Sequence, residues 1–168
     1  AVRKIGETDT PAAFQEWAPS PYIDFSPDGR FLVASDEWGV DSRSSLVLIS
    51  IETGDKVRLT TPEPRIPGDF CARFSPDGKR IVFTRLRRFG ASDLYVLELT
   101  ADMRPAALPA RIESPDLWNA FPAWSSDGRQ IIFAGGVMRN ATLKAVHLER
   151  SGRFARRITL PLTDTSVT

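Results

Sequence analysis

One six-residue pattern occurs three times: Phe25-Ser26-Pro27-Asp28-Gly29-Arg30, Phe74-Ser75-Pro76-Asp77-Gly78-Lys79 and Trp124-Ser125-Ser126-Asp127-Gly128-Arg129. The intervals are 49 and 50 residues. A match of this length at a nearly constant period makes the chain a repeat and limits it to folds built from stacked, similar units. The chemistry of the hexad is that of a tight turn. Proline pre-sets φ near −65°, aspartate bonds its own local backbone, and glycine accepts a positive φ without steric cost. An aromatic residue before the turn and apolar residues after it mark two antiparallel strands joined there. Prolines and glycines number 13 and 11 in 168 residues, a density that excludes a helix bundle or a long coiled coil.

The similarity continues past the turn. Leu32-Val33-Ala34, Ile81-Val82-Phe83 and Ile131-Ile132-Phe133 share one offset, and Leu46–Ile51, Leu94–Leu99 and Leu143–Leu148 share a second. A shorter, more polar strand follows in each unit: Lys56–Thr60, a proline-interrupted stretch from Ala106 to Ile112, and Arg156–Leu160. Four strands in about 49 residues is the plan of a propeller blade. The expected fold is therefore all-β: a β-propeller fragment of about three four-stranded antiparallel blades, with partial flanking strands. The expected units are residues 20–68, 69–118 and 119–160, with 1–19 and 161–168 belonging to neighbouring blades. The chain opens without an initiator methionine and ends without a capping element, so both ends are expected to be cut from a longer polypeptide. A half-propeller that closes by dimerising is the alternative. An open arc is expected to leave two bare apolar faces and hence to self-associate.

Ser-Pro-Asp-Gly-Arg/Lys after an aromatic, followed by a strand ending in Ala, Phe or Thr, resembles the WD-like repeat of TolB-type propellers over residues 20–160. A narrower similarity lies in Leu48–Thr60 with Pro67-Gly68-Asp69, and in Ser92–Thr100 with Arg104-Pro105. Those stretches resemble the propellers at the C-terminal end of bacterial winged-helix transcriptional regulators. The resemblance implies protein–protein contact in the bacterial envelope and a periplasmic or extracytoplasmic location. It implies no cofactor.

Charge and chemistry narrow the function. With 22 basic and 21 acidic side chains, the chain lacks the electrostatic footprint of a dedicated nucleic-acid binder. No apolar run approaches the roughly 18 residues of a membrane span. A single cysteine, Cys71, excludes an internal disulfide framework. It aligns with Tyr22 and Phe121 on the innermost strand and reads as a buried, inert thiol. His147 is the only histidine and falls at a polar-tolerant strand position, so a zinc site lacks ligands. Asp28, Asp77 and Asp127 read as turn residues held apart by successive blades. No Gly-x-Ser-x-Gly elbow occurs. The expected catalytic, cofactor-binding and metal residues are accordingly none, and the chain is expected not to be an enzyme.

The loops joining second and third strands carry Trp38 and Arg43, then Arg87, Arg88 and Phe89, then Arg139 and Asn140. Alternate loops of a propeller share one face, so these residues are expected to cluster on one rim, with Trp118 near the channel mouth and Asn119 and Asp69 beside it. Exposed arginine with aromatics is the composition of protein-binding hot spots, and equally of loops kept soluble by charge. The expected function is a non-catalytic protein-binding or sensing module of a larger bacterial regulator or envelope protein. The alternative is the accessory propeller of a prolyl-oligopeptidase-type serine peptidase, whose hydrolase lies outside these residues.

Overall fold

The computed structural model describes residues 22–37, 43–148 and 154–159. Expectations for residues 1–19 and 161–168, and for Trp38, fall outside them. The described residues are all-β and contain no helix. Blade 1 comprises β1 (Asp24–Phe25), β2 (Phe31–Glu37), β3 (Ser44–Ser50) and β4 (Lys56–Arg58); blade 2 comprises β5 (Gly68–Phe74), β6 (Arg80–Arg88), β7 (Ala91–Glu98) and β8 (Ala110–Ile112). Blade 3 comprises β9 (Trp118–Trp124), β10 (Gln130–Val137), β11 (Asn140–Leu148) and β12 (Phe154–Thr159). Within each blade consecutive strands pair antiparallel. The outermost strand of blade 2 is shorter than its sequence suggests. Pro105 forms an isolated bridge with Leu99 and the Ala106 N–H donates to the Glu98 carbonyl at 2.9 Å, but the chain then leaves the ladder until Ala110–Ile112 pair with β7.

The hexads are the turns between first and second strands. Gly29, Gly78 and Gly128 take φ of 69°, 68° and 66°. In each turn the serine hydroxyl donates to an aspartate Oδ1 at 2.6 Å, in the pairs Ser26–Asp28, Ser75–Asp77 and Ser125–Asp127. The same carboxylate oxygen accepts the backbone N–H two residues on, from Arg30, Lys79 and Arg129. The serine oxygen in turn accepts the N–H that opens the next strand, from Phe31, Arg80 and Gln130. Each hexad thus closes its own small network and starts β2, β6 or β10 in register.

These bonds hold the turn carboxyls below their usual range. Ser26 and the Arg30 N–H do so for Asp28, and Ser125 and the Arg129 N–H for Asp127. Partial burial pushes Asp77 up, but Ser75, the Lys79 N–H and Arg80 outweigh it. A depressed folded pKa gives stability that is present above the unfolded value, near 3.8, and lost as pH falls through the folded one. The denaturation midpoint is therefore expected to fall with pH below about 4. The triple variant Asp28→Asn, Asp77→Asn, Asp127→Asn is expected to flatten that fall in urea titrations between roughly pH 4 and 2. An unchanged acid limb would contradict the turn account.

Strands β3, β6 and β7 are buried on both faces over most of their length. Val33, Leu46, Leu48 and Leu59 of blade 1 pack on Ala72, Phe74, Ile81, Phe83 and Leu97 of blade 2. Val82, Leu94, Val96 and Ile112 of blade 2 pack on Ile131, Phe133 and Val146 of blade 3. The face of blade 1 turned away from blade 2 is also buried, at Leu32, Ala34, Val47 and Ile49. The expectation of a bare apolar face at this end of the repeat is thereby corrected.

The turns also stack on one another. A Cβ placed on Gly78 would meet the Pro27 ring at 3.5 Å, and one on Gly128 would meet the Pro76 ring at 3.6 Å. The proline of one hexad therefore seats on the glycine of the next, so Pro and Gly serve the blade interface as well as the turn.

Candidate functional site

Register divides the molecule into two ends. Hexads lie at one end, together with the turns from third to fourth strands. The connections between second and third strands, and those from one blade to the next, lie at the other.

At the hexad end a shallow cavity of about 410 Å³ opens between blades 1 and 2. Asp28, Asp77, Lys79, Thr100 and Met103 are among its walls. Asp28 and Asp77, from successive hexads, border this one space. Each carboxylate is nevertheless bound within its own turn. Among the described residues no group of three or more potential metal ligands forms.

The opposite end rests on ion pairs that cross the sheets. Asp69 at the head of β5 is 0% exposed and receives Arg85 in a two-pronged bond at 2.6 and 2.8 Å. Burial pushes the Asp69 carboxyl up, against the pull of Arg85 and Thr60. Burial also opposes the Arg85 charge, which the Asp69 bonds outweigh. The guanidinium lies over the Tyr95 ring, 4.6 Å from its centroid. Next across the sheet, buried Asp93 accepts from Arg87 at 2.8 Å and Arg111 at 3.0 Å. Lys56 pairs with Asp36 at 2.8 Å in blade 1, and Lys144 with Asp116 at 2.6 Å between blade 3 and the loop before it. These pairs lie where each blade meets its connections and fix the loops above them.

Of the residues the sequence nominates, Arg43 donates to the Pro62 carbonyl at 2.8 Å and Arg87 is held by Asp93. Both therefore serve as braces. Arg88, Phe89, Arg139 and Asn140 are exposed at the loop end, and Phe89 is 68% exposed. Trp118 pairs across β9–β10 with Gly136, next to Val137, which is 53% exposed. The Ser92 N–H donates to the Leu117 carbonyl at 3.1 Å, which brings the Phe89 loop beside Leu117 and Trp118. Arg88, Phe89, Leu117, Trp118, Val137 and Arg139 thus share one end of blades 2 and 3. Asp69 and Asn119, expected beside the channel mouth, are buried. Asn119 is enclosed by Ser92, Ser114 and the Asp116 carbonyl.

The innermost strands carry a feature the sequence does not announce. Two residues of β5, Cys71 and Ala72, oppose one residue of β6, and β9 repeats this bulge opposite Phe133. Cys71 and Phe121 at these bulges both take φ of 55°, a left-handed conformation that costs a non-glycine residue about 1–2 kcal/mol. Cys71 is buried, and burial pushes its thiol up to about 12, against Arg73 and the Phe121 N–H, so it stays protonated and unreactive. Tyr22 of blade 1 reaches Phe121 of blade 3 with ring centroids 5.8 Å apart, and Trp118 meets Phe121 edge-on at 5.7 Å. The first strands of three successive sheets therefore converge on one axis.

No family model matches the chain. Among solved structures it is similar to TolB from Acinetobacter baumannii, with a TM-score of 0.62 and 21% identity, covering 83% of this chain and 32% of that one. The fold is a β-propeller's. A putative TolB from Agrobacterium tumefaciens matches with a TM-score of 0.59 and 20% identity, over 85% of this chain and 51% of that one. The β-propeller domain of the Trilobed protease from Pyrococcus furiosus matches with a TM-score of 0.55 and 16% identity, over 85% and 44%. The chain thus spans from about a third to about a half of the length of these three chains. These identities speak for the fold, which the three sheets, the converging inner strands and the stacked hexads display independently.

Proposed function

We propose that this chain is a non-catalytic propeller module that binds a protein or peptide through the loop end of blades 2 and 3. One observation carries this reading. Exposed Phe89, Val137, Arg88 and Arg139 stand on loops whose bases are fixed by the Asp93 and Asp116 ion pairs. Rigidly held apolar and guanidinium groups lose little freedom on binding, which is how a small patch acquires affinity. Likeness to TolB-type propellers supports a place in a bacterial envelope or regulatory protein, outside the cytoplasm. Among the described residues no helix is long and apolar enough to cross a membrane.

A second reading, the accessory propeller of a serine peptidase, draws on the likeness to the Trilobed protease propeller. A Gly-x-Ser-x-Gly segment in the same polypeptide would favour it.

The test uses a peptide selected for binding to the unaltered protein. Because Arg43 and Arg87 brace the fold, the informative variant is Arg88→Glu, Phe89→Ala, Arg139→Glu. Affinity is expected to drop by about a hundredfold or more by calorimetry, with an unchanged circular dichroism spectrum. Binding within about twofold of the parent would return these loops to a solubility role.

A further inference from the structure

Two guanidiniums share one buried carboxylate at the loop end of blade 2. Arg87 Nε lies 2.8 Å from Asp93 Oδ2, and Arg111 Nη2 lies 3.0 Å from Oδ1. The Asp93 side chain is 2% exposed, whereas those of Arg87 and Arg111 are 44% and 40% exposed. A buried carboxylate needs one cation to balance it, and Asp69, next across the sheet, is balanced by the guanidinium of Arg85. Asp93 has one cation more than its charge requires. Each guanidinium carries five N–H donors in a planar fork, and the contacts with Asp93 use one nitrogen of each. Most of each fork is left for another acceptor.

The fold does not require this arrangement. Register makes Ser45 of blade 1 and Thr142 of blade 3 the counterparts of Asp93, because they pair with Asp36 and Gly135 as Asp93 pairs with Arg85. Arg58 donates to the Ser45 hydroxyl at 3.1 Å, where Arg111 meets Asp93 in blade 2. Blades 1 and 3 thus complete their sheets with a neutral side chain at this position. The trio of blade 2 carries a net positive charge at the root of the hairpin that bears Arg88 and Phe89. Glu113, two residues along the chain, is the other acid that acts on Arg111, and it is exposed to solvent, where screening weakens it.

We infer that Arg87 and Arg111 form a pincer that takes a carboxylate, from an acidic side chain or a chain terminus, of the partner bound at the loop end. A carboxylate presents two coplanar oxygens that match guanidinium forks, and its charge balances the trio. Asp93 fixes both forks in advance, so little side-chain freedom is lost on binding. The inference rests on the proposed loop-end reading only in assigning the carboxylate to that partner, which becomes an acidic segment with an apolar residue for Phe89.

Acetate is the probe, because it carries the group without the partner. It is titrated to about 50 mM at constant ionic strength against chloride, and arginine Nε–Hε resonances are followed by nuclear magnetic resonance. Arg87 and Arg111 are expected to shift saturably, with half-saturation at roughly 1–10 mM, while Arg88 and Arg139 drift linearly. Arg111→Gln is expected to raise half-saturation at Arg87 about tenfold or more with unchanged circular dichroism, since Arg87 still answers Asp93. Arg111→Lys keeps the charge but not the fork. It serves should the neutral variant fold poorly, and is expected to recover only part of the loss. The peptide selected above is expected to contain an acidic residue and to lose about tenfold in affinity for Arg111→Gln. Linear shifts shared by all four arginines would overturn the inference, because they report screening and not a site. So would a saturable response or a peptide affinity that Arg111→Gln leaves unchanged. Half-saturation by phosphate about tenfold below that of acetate would also overturn it, assigning the pincer to phosphoryl groups. A saturable acetate site beside a peptide indifferent to Arg88, Phe89 and Arg139 would instead sink the loop-end reading and leave the pincer standing.

Discussion

Replacing Asp69 with alanine is expected to lower the unfolding free energy by about 3–5 kcal/mol. The carboxylate is fully buried and Arg85 is nearly so, so the substitution leaves a guanidinium without its anion under two packed sheets. The attraction within the pair is not itself a large gain, because both charges gave up water to form it. The double variant Asp69→Leu, Arg85→Met is accordingly expected to recover most of the loss, since the Phe83 and Tyr95 rings already give Arg85 an apolar surround. Urea denaturation of the two single variants and the double variant completes the cycle. A loss below about 1 kcal/mol for Asp69→Ala would mean that Arg85 reaches water and that this end of the blade interface is open.

The neighbouring position is expected to tolerate even less. Gly68 begins β5 with φ of 125°, and a Cβ there would lie 2.1 Å from the Ser44 carbonyl oxygen and 2.7 Å from its nitrogen. Both atoms are backbone, and Ser44 opposite Gly68 is the one parallel pair that joins blade 1 to blade 2. Relief requires moving a strand. Gly68→Ala is therefore expected to cost about 4 kcal/mol or more, enough to remove most of the stability of a domain this size. Gly29→Ala is the control. It meets nothing within 4 Å and carries only the penalty of its φ of 69°, about 1–2 kcal/mol. Equal thermal shifts for the two variants would show that the close approach of the blades at Gly68 is not as described.

The repeat and its strands are legible in the sequence because the turn chemistry is local. Proline, aspartate and glycine in a hexad act on their own backbone, so Phe25–Arg30, Phe74–Lys79 and Trp124–Arg129 can be read without knowing what surrounds them. Contacts across blades are not legible in this way. That Pro27 seats on Gly78 depends on how the blades stack, which places residues 51 positions apart side by side, and that Arg85 answers both Asp69 and Tyr95 depends on register and twist within blade 2. The bulges at Cys71 and Phe121 left no local mark either, since neither residue favours a positive φ and tertiary packing imposes it. The candidate surface is legible in composition but not in detail. Arginine-rich loops announce a charged end, yet only the structure separates Arg43 and Arg87, which brace, from Arg88 and Arg139, which face solvent.

The central claim is that three like sheets stack so that their first strands converge on a common axis. Nuclear Overhauser contacts between the ring protons of Tyr22 and Phe121 test this most directly, because the two residues belong to blades 1 and 3, which blade 2 separates in sequence. With centroids 5.8 Å apart, ring-to-ring cross-peaks are expected, accompanied by cross-peaks from the Pro27 ring to Gly78 and from the Pro76 ring to Gly128. If the hexad contacts appear within each pair of blades but Tyr22 and Phe121 show none, the sheets stack without converging, and the propeller account is contradicted.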